Sequence, residues 1–408
     1  MLPDVYIFNP TCEMAVQNGT SSFQPNARLQ KFEEDLDLLP LPFTGTKDYL
    51  LVNKLPSTAF LKQFEQGGWK LPSFRLIREI AKDKLFQESS KGFLRPWGWS
   101  PAMHHKLKSL KTSCSQQFHQ LPTAEWNPDH RQLYSRETAL KILQEVSIRN
   151  HSLIQIDKKM YPVVCFSADE VQKLLKQWGK IVLKAPWSSS GRGIQIFKLG
   201  EWRSFHKQWI HGTIQKHGKI MVEPFLKKES DLAFQFYIDE KKLVRFLGVS
   251  WFRTNSNGQY MLNYINRFPP AFSTKAMAFF QRVKDEIASS LQECIQQSKI
   301  AREYYGYLGV DAMLIRDEND ALQIHPCLEI NLRYNMGILA LRLGELVHPA
   351  SKGEFHVFFD PKSSFKSFCR EYSKNFPVTY QDGRFRNGFI PLTEPLETNT
   401  FGAWMILT

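Results

Sequence analysis

The sequence has only six cysteines (Cys12, Cys114, Cys165, Cys294, Cys327 and Cys369), scattered with no C-x-x-C pair and no neighbouring histidine cluster. That spacing excludes a disulfide scaffold and a structural zinc site, and a reducing cytoplasm is the expected setting. No apolar run approaches the ~20 residues needed to span a bilayer. Residues 1–10 predict a short strand and turn, where an export signal would show a basic segment followed by an apolar one. Neither a membrane role nor an export signal is expected. Internal repeats and low-complexity tracts are also missing, as is the G-x-x-x-x-G-K-[ST] phosphate loop, which removes the solenoid and P-loop classes.

What the chain does hold is core material. Its 408 residues are 42% hydrophobic and 13% aromatic, with 31 Phe and 10 Trp, enough apolar side chain for two to three domains. The net charge of +13 is unevenly placed: residues 1–81 carry 8 Lys+Arg against 9 Asp+Glu, residues 82–228 carry 25 against 11, and residues 229–408 carry 20 against 20. All the positive excess lies in the middle third. Such a block suits an anionic partner: nucleotide phosphates, an acidic substrate, nucleic acid or a membrane surface.

Composition and element order predict five segments. Residues 1–84 form a small α/β layer, with a first strand at Val5–Phe8, helices at Leu29–Leu38 and Thr58–Phe64, and Ser57 as a helix cap. Residues 85–133 form an irregular basic connection containing Trp97, Trp99, His104 and His105. Residues 134–226 open on a helix carrying Ala139, Leu140, Leu143 and Val146. A second helix follows from Ser167, with Glu170 completing a capping box and Gly179 ending it. Residues 227–350 contain strands at 232–238 and 243–252, the long helix 273–300, a hairpin of strands 308–315 and 322–330, and a last helix near 338–347. Residues 351–408 are an extension packed on the core.

Two places carry chemistry. The first is the loop Ser188, Ser189, Ser190, Gly191, Arg192 and Gly193, which joins strand 181–183 to another extended segment. Small residues let backbone N–H groups converge on an anion, and Lys184 and Arg192 add positive charge; a plain Gly/Ser hairpin turn is the competing reading. The second is Asp311 on one strand with Glu329 and Asn331 on the next. Glu329 and Asn331 are two apart and so share a face, and the three oxygens suit Mg²⁺. An acid within the apolar run 310–314 is costly unless it is paired or bound to metal.

Four segments in order carry a resemblance to the ATP-grasp superfamily: Ile181–Lys184 with the loop to Ile194, Val222–Leu226, Gly309–Leu314 and Leu328–Arg333. Together they cover residues 134–348. The resemblance implies an α+β / α/β ATP-grasp fold, with a small N-terminal α/β domain and two subdomains clasping ATP. It further implies that Lys184 and loop 188–193 hold the phosphates, and that Glu223 with the main chain of Phe225 and Leu226 meets the adenine edge. Asp231 would bind the ribose, with Glu229 as its rival. Asp311, Glu329 and Asn331 would hold Mg²⁺, or Mn²⁺ in its place, and Arg333 would act on the reacting groups. The implied reaction is in-line attack of a carboxylate on the γ-phosphate, giving an acyl phosphate that an amine captures, with ADP released.

The sequence also departs from the pattern. Ala185 separates Lys184 from Pro186, and Gly309 stands where D-alanine–D-alanine ligases carry a phosphate-binding arginine. Arg253 or Arg267 is the candidate replacement, and Arg136 is the candidate for a further cation before the 135–149 helix. His325 is open as a proton donor or a strand-end structural residue. The polar run after the first strand, including Asn9 and Glu13, is open as a substrate site or an ordinary loop. The expected substrates are a small-molecule or peptide carboxylate and an amine. The rivals are a kinase of the same fold and a basic nucleic-acid-binding protein.

Overall fold

The computed structural model describes residues 2–149, 158, 161–187, 193–255 and 258–408. Strand Val5–Ile7 is apolar and buried at all three positions, and it forms the centre of a four-stranded parallel sheet ordered 73–76, 49–52, 5–7, 94–96. Ser57 caps helix Thr58–Gln66 by accepting from the Phe60 N–H at 3.2 Å, as its sequence predicts. Segment 85–133 is more than an irregular connection. It supplies strand Leu94–Pro96 to this sheet, then short helices at 101–106, 108–111, 116–119 and 130–133. Trp97 and Trp99 are core residues, buried with Leu94, Leu110 and Phe118 in the packing around the sheet.

A small antiparallel sheet follows, ordered 163–165, 220–224, 180–184, 194–198. Helices Ala168–Trp178 and Ser204–His217 pack on it through Val171, Leu175 and Ile210. The first is set by Ser167, which accepts from the Glu170 N–H, while the Glu170 carboxylate accepts from Phe166 N–H. Gly179 ends it at φ 71°, a conformation that favours glycine.

The third layer is a nine-stranded antiparallel sheet ordered 322–331, 306–316, 227–238, 244–254, 260–265, 353–359, 401–407, 384–391, 379–381. One face carries Leu232, Phe234, Phe236 and Trp251. It is covered by helices Arg136–Arg149 and Thr274–Gln297, the latter contributing Phe280, Val283, Ile287 and Leu291. Each such side chain contributes roughly 1.5–3 kcal/mol on full burial. The opposite face packs helix Met336–Leu346 and the N-terminal sheet around Ile265, Phe355 and Met405. The segment 351–408 therefore does more than lie against the core: it supplies four of the nine strands. No described helix is long and apolar enough to cross a membrane.

Candidate active site

Strand alternation and register bring the predicted acids together. Asp311 stands directly opposite Glu329, and Gly309 opposite Asn331, so the three side chains share one face at the edge of the large sheet. The Asn331 amide nitrogen donates to Asp311 Oδ2 at 3.1 Å. Burial, and next the Glu329 charge, push the Asp311 carboxyl up to about 7. Glu329 is held on its other side by Arg136, whose Nη2 donates to Oε2 at 2.7 Å while Nη1 donates to the Ala185 carbonyl at 3.0 Å. Arg136 thus ties the chain just after Lys184 to the acidic hairpin.

Arg333 joins the same cluster and brings in a residue from the other end of the chain. Its Nη2 donates to Asn331 Oδ1 at 3.0 Å, and its Nε and Nη2 meet the two Glu13 carboxylate oxygens at 3.0 and 3.2 Å. Glu13 lies on the short helix after the first strand, at the carboxyl end of the parallel sheet where open α/β sheets bind ligands. Below it the two layers interlock: Asn9 Nδ2 donates to the Gly98 carbonyl at 2.7 Å, and Tyr334 N–H donates to the Trp97 carbonyl at 2.8 Å. A Cβ on Gly98 would sit 2.3 Å from Cys12 Sγ and 3.1 Å from Arg333 Cβ, so the close approach requires glycine there.

The glycine at 309 has a comparable cause. Its Cβ would meet Asn335 Nδ2 at 2.7 Å and Gln235 Oε1 at 2.8 Å. Those two side chains are themselves hydrogen-bonded at 3.1 Å, and Gln235 also donates to Ser250 Oγ at 2.8 Å. A buried amide network fills the space that a side chain at 309 would need.

The opposing wall comes from the small sheet. Lys184 Nζ lies 2.6 Å from Glu223 Oε2, and both side chains are about a tenth exposed. The Phe225 N–H donates to the Lys180 carbonyl at 3.1 Å, and Lys180 Nζ sits 3.2 Å from the Phe225 ring centroid. The Phe225 N–H is therefore already engaged within the protein; Leu226 follows it at a half-buried position. Gly193 closes the loop at φ 72°, its carbonyl accepting from the Ala185 N–H; residues 188–192 lie outside the described set. Asp231 is on the Asp311 face, two positions along the neighbouring strand from Ala233, and is bound to Lys228 and Thr254 at 2.8 and 2.7 Å. Glu229 is engaged by Arg316 at 2.8 Å. His325 is 1% exposed, and burial, reinforced by Lys184, pulls its imidazole down to about 3. It is neutral near pH 7 and has no proton to give as an imidazolium.

Arg253 and Arg267 are not brought to this cluster. Register pairs Arg253 with Leu262, on the face that carries Trp251, whereas Asp311 shares its face with Ala233 and Ser250. Arg267 Nη2 lies 3.9 Å from Glu354 Oε1, and Glu354 pairs with Tyr264 on that same far face. The His356 hydrogen bond, assisted by both arginines, holds the Glu354 carboxyl below its usual range. As replacements for the arginine missing at 309 they are on the wrong side of the sheet.

Mg²⁺ fits the donor set in part. The Glu329 charge directly opposite Asp311 helps to push the Asp311 carboxyl up, and a divalent cation between the two carboxylates would relieve that repulsion. Asn331 turns its oxygen to Arg333 and its nitrogen to Asp311, so it becomes a third oxygen ligand only after its amide rotates. Among the described residues no group of three or more His, Cys, Asp or Glu gathers as a metal cluster. Two carboxylates suffice for an ion that keeps water and phosphate oxygens as its other ligands.

No protein-family profile matches the chain. One curated relative, the [butirosin acyl-carrier protein]–L-glutamate ligase of Niallia circulans, is 28% identical over 158 residues, 38% of this chain and 33% of its own length. The match therefore spans about a third of that relative. Among solved structures, the biotin carboxylase of Campylobacter jejuni superposes with a TM-score of 0.52 at 11% identity, covering 100% of this chain and 88% of that one. The biotin carboxylase domain of Hydrogenobacter thermophilus 2-oxoglutarate carboxylase gives 0.53 at 12% identity, covering 100% and 86%. The fold of this chain is the ATP-grasp fold that these carboxylases share.

Proposed function

We propose that the protein is an ATP- and Mg²⁺-dependent ligase that forms a carbon–nitrogen bond, activating a carboxylate for attack by an amine and releasing ADP. The observation that carries this reading is the opposed pair Asp311 and Glu329, braced by Arg136 and Arg333 and fronted across the subdomains by Lys184 and Glu223. The Campylobacter and Hydrogenobacter structures were solved with β,γ-ATP and with MgADP, ADP and bicarbonate respectively, and the Niallia relative is by name a ligase.

In this reading Asp311 and Glu329 would hold the metal, and Asn331 would offer a third oxygen once its amide turned. Lys184 leaves Glu223 for phosphate oxygens, and Glu223 is freed for the adenine edge, which it meets together with Leu226. Loop 188–193 covers the phosphates, and Asp231 binds the ribose. ATP, when bound, supplies the phosphoryl group that makes the carboxylate an acyl phosphate. Arg333 offsets the charge that grows on the transferring group, and Arg136 keeps Glu329 aimed. The substrates are a carboxylate and an amine, small or carried on a peptide or protein.

The nucleic-acid reading loses part of its support. Lys91, Lys111 and Arg136, all in the basic middle third, are buried and bonded to internal carbonyls or carboxylates. That charge is not available to a polyanion. A screen of amino acids and dipeptides for stimulated ADP release tests the proposal. An acceptor-dependent rise in ADP is the expected result, and steeply salt-dependent polynucleotide binding without ATP turnover would overturn it.

A further inference from the structure

Arg333 has five N–H hydrogens, and the described hydrogen bonds occupy three: one Nη2 hydrogen at Glu13, the second Nη2 hydrogen at Asn331, and one Nη1 hydrogen at the Tyr334 carbonyl, while Nε lies 3.0 Å from Glu13 Oε1 without hydrogen-bond geometry. One Nη1 hydrogen has no partner among the described residues, on a side chain that is 15% exposed. The guanidinium is held at both Nη2 hydrogens, one on Glu13 and one on Asn331, with the second Glu13 oxygen 3.0 Å from Nε, an arrangement that restricts rotation about Nε–Cζ. That carboxylate comes from 320 residues away in sequence, across the junction between the parallel sheet and the large sheet.

We propose that Glu13 is the positioning residue for Arg333, aiming the remaining Nη1 hydrogen at the reacting groups and carrying the N-terminal layer into the reaction centre. The chain of contacts runs Glu13, Arg333, Asn331, Asp311, so the orientation of one guanidinium also sets the Asn331 amide beside the acidic pair. The backbone beneath is built for close approach: Gly98 leaves no room for a Cβ between Cys12 and Arg333, and Trp97 stacks on Tyr334 at 5.5 Å between ring centroids. Packing alone does not call for an acid at position 13. Burial opposes its ionised form, and Arg333 is the main group working the other way.

This inference rests on the proposed ligase reading for its kinetic arm but not for its spectroscopic one. In full-length protein with isotopically labelled arginine, the Nε–Cζ rotation of Arg333, assigned by its loss in Arg333→Lys, is expected to be slow. In Glu13→Gln it is expected to become fast while the thermal transition stays cooperative. With the accepted substrates, Glu13→Gln should lower kcat about 10- to 100-fold and leave the ATP KM within about threefold. The double variant Glu13→Gln/Arg333→Gln should be no worse than Arg333→Gln alone, because the two residues act as one unit. Unchanged guanidinium rotation overturns the proposal, as does a loss in Glu13→Gln that multiplies with that of Arg333→Gln or falls on the amine KM. If the wild-type protein releases no ADP with any acceptor, the ligase reading fails and the rotation measurement alone decides the role of Glu13.

Discussion

Glu329→Gln separates the chemistry of the acidic hairpin from its packing. The substitution preserves volume and leaves an amide oxygen able to accept from Arg136 Nη2, whose side chain is only 4% exposed. Removing the partner of a buried ion pair outright costs about 3–5 kcal/mol. With a neutral acceptor kept, the loss reduces to the difference between charged and neutral hydrogen bonds, on the order of 1–2 kcal/mol. Relief of the repulsion at Asp311 offsets part of that, since Glu329 is the largest charge pushing the Asp311 carboxyl up. The protein should stay folded, with a melting shift of a few degrees. Turnover should respond differently, because one electrostatic contact to a transferring phosphoryl group is worth roughly 3–4 kcal/mol, or 10²- to 10³-fold in rate. Loss of metal affinity adds to this. The assay is acceptor-stimulated ADP release across a Mg²⁺ titration, with thermal unfolding as the control. Near-wild-type ADP release from a folded variant would refute the assignment of Asp311 and Glu329.

Two further perturbations test other parts of the structure. Lys184→Ala should weaken nucleotide binding at least tenfold and also cost stability, since it strands Glu223 beside an apolar sheet interior; unchanged ATP affinity by calorimetry would remove Lys184 from the site. Asp37 sits buried against Asn53, with Asp35 and Glu34 nearby, and burial raises its carboxyl to about 7. Its folded value exceeds its unfolded one, so its stabilising contribution is complete below about pH 4 and is lost as pH rises to about 7. Relative to wild type, Asp37→Asn should flatten the fall in unfolding free energy over that window by up to about 1.4 kcal/mol per pH unit. Parallel profiles in denaturant titrations at pH 5, 6 and 7 would contradict this.

The parts of the site that were legible in the sequence are those set by local rules. Alternation in two adjacent strands is enough to face Asp311 with Glu329 and Asn331, and a strand ending in lysine before a run of small residues marks Lys184. Capping chemistry likewise announces the helices after Ser57 and Ser167. What stayed hidden depends on partners distant in sequence. Strand Leu94–Pro96 has three residues, one of them arginine and one proline, and is a strand only because Val5–Ile7 offers it an edge. The face that Arg253 occupies is decided by its register with Leu262, which no local pattern encodes. Glu13 carried no signal beyond its place after the first strand, and its contact with Arg333 exists only because Gly98 and Tyr334 bring two layers together. The strands of 351–408 complete a sheet begun at Lys227, more than a hundred residues earlier, so their role was invisible from their own composition.

The central claim is that this fold activates a carboxylate by phosphoryl transfer, and product analysis without the amine tests it most directly. With ATP, Mg²⁺, the carboxylate found in the acceptor screen and hydroxylamine in place of the amine, the account predicts a hydroxamate formed in step with ADP and inorganic phosphate. AMP with pyrophosphate, or a stable phosphorylated product with no released phosphate, would contradict it.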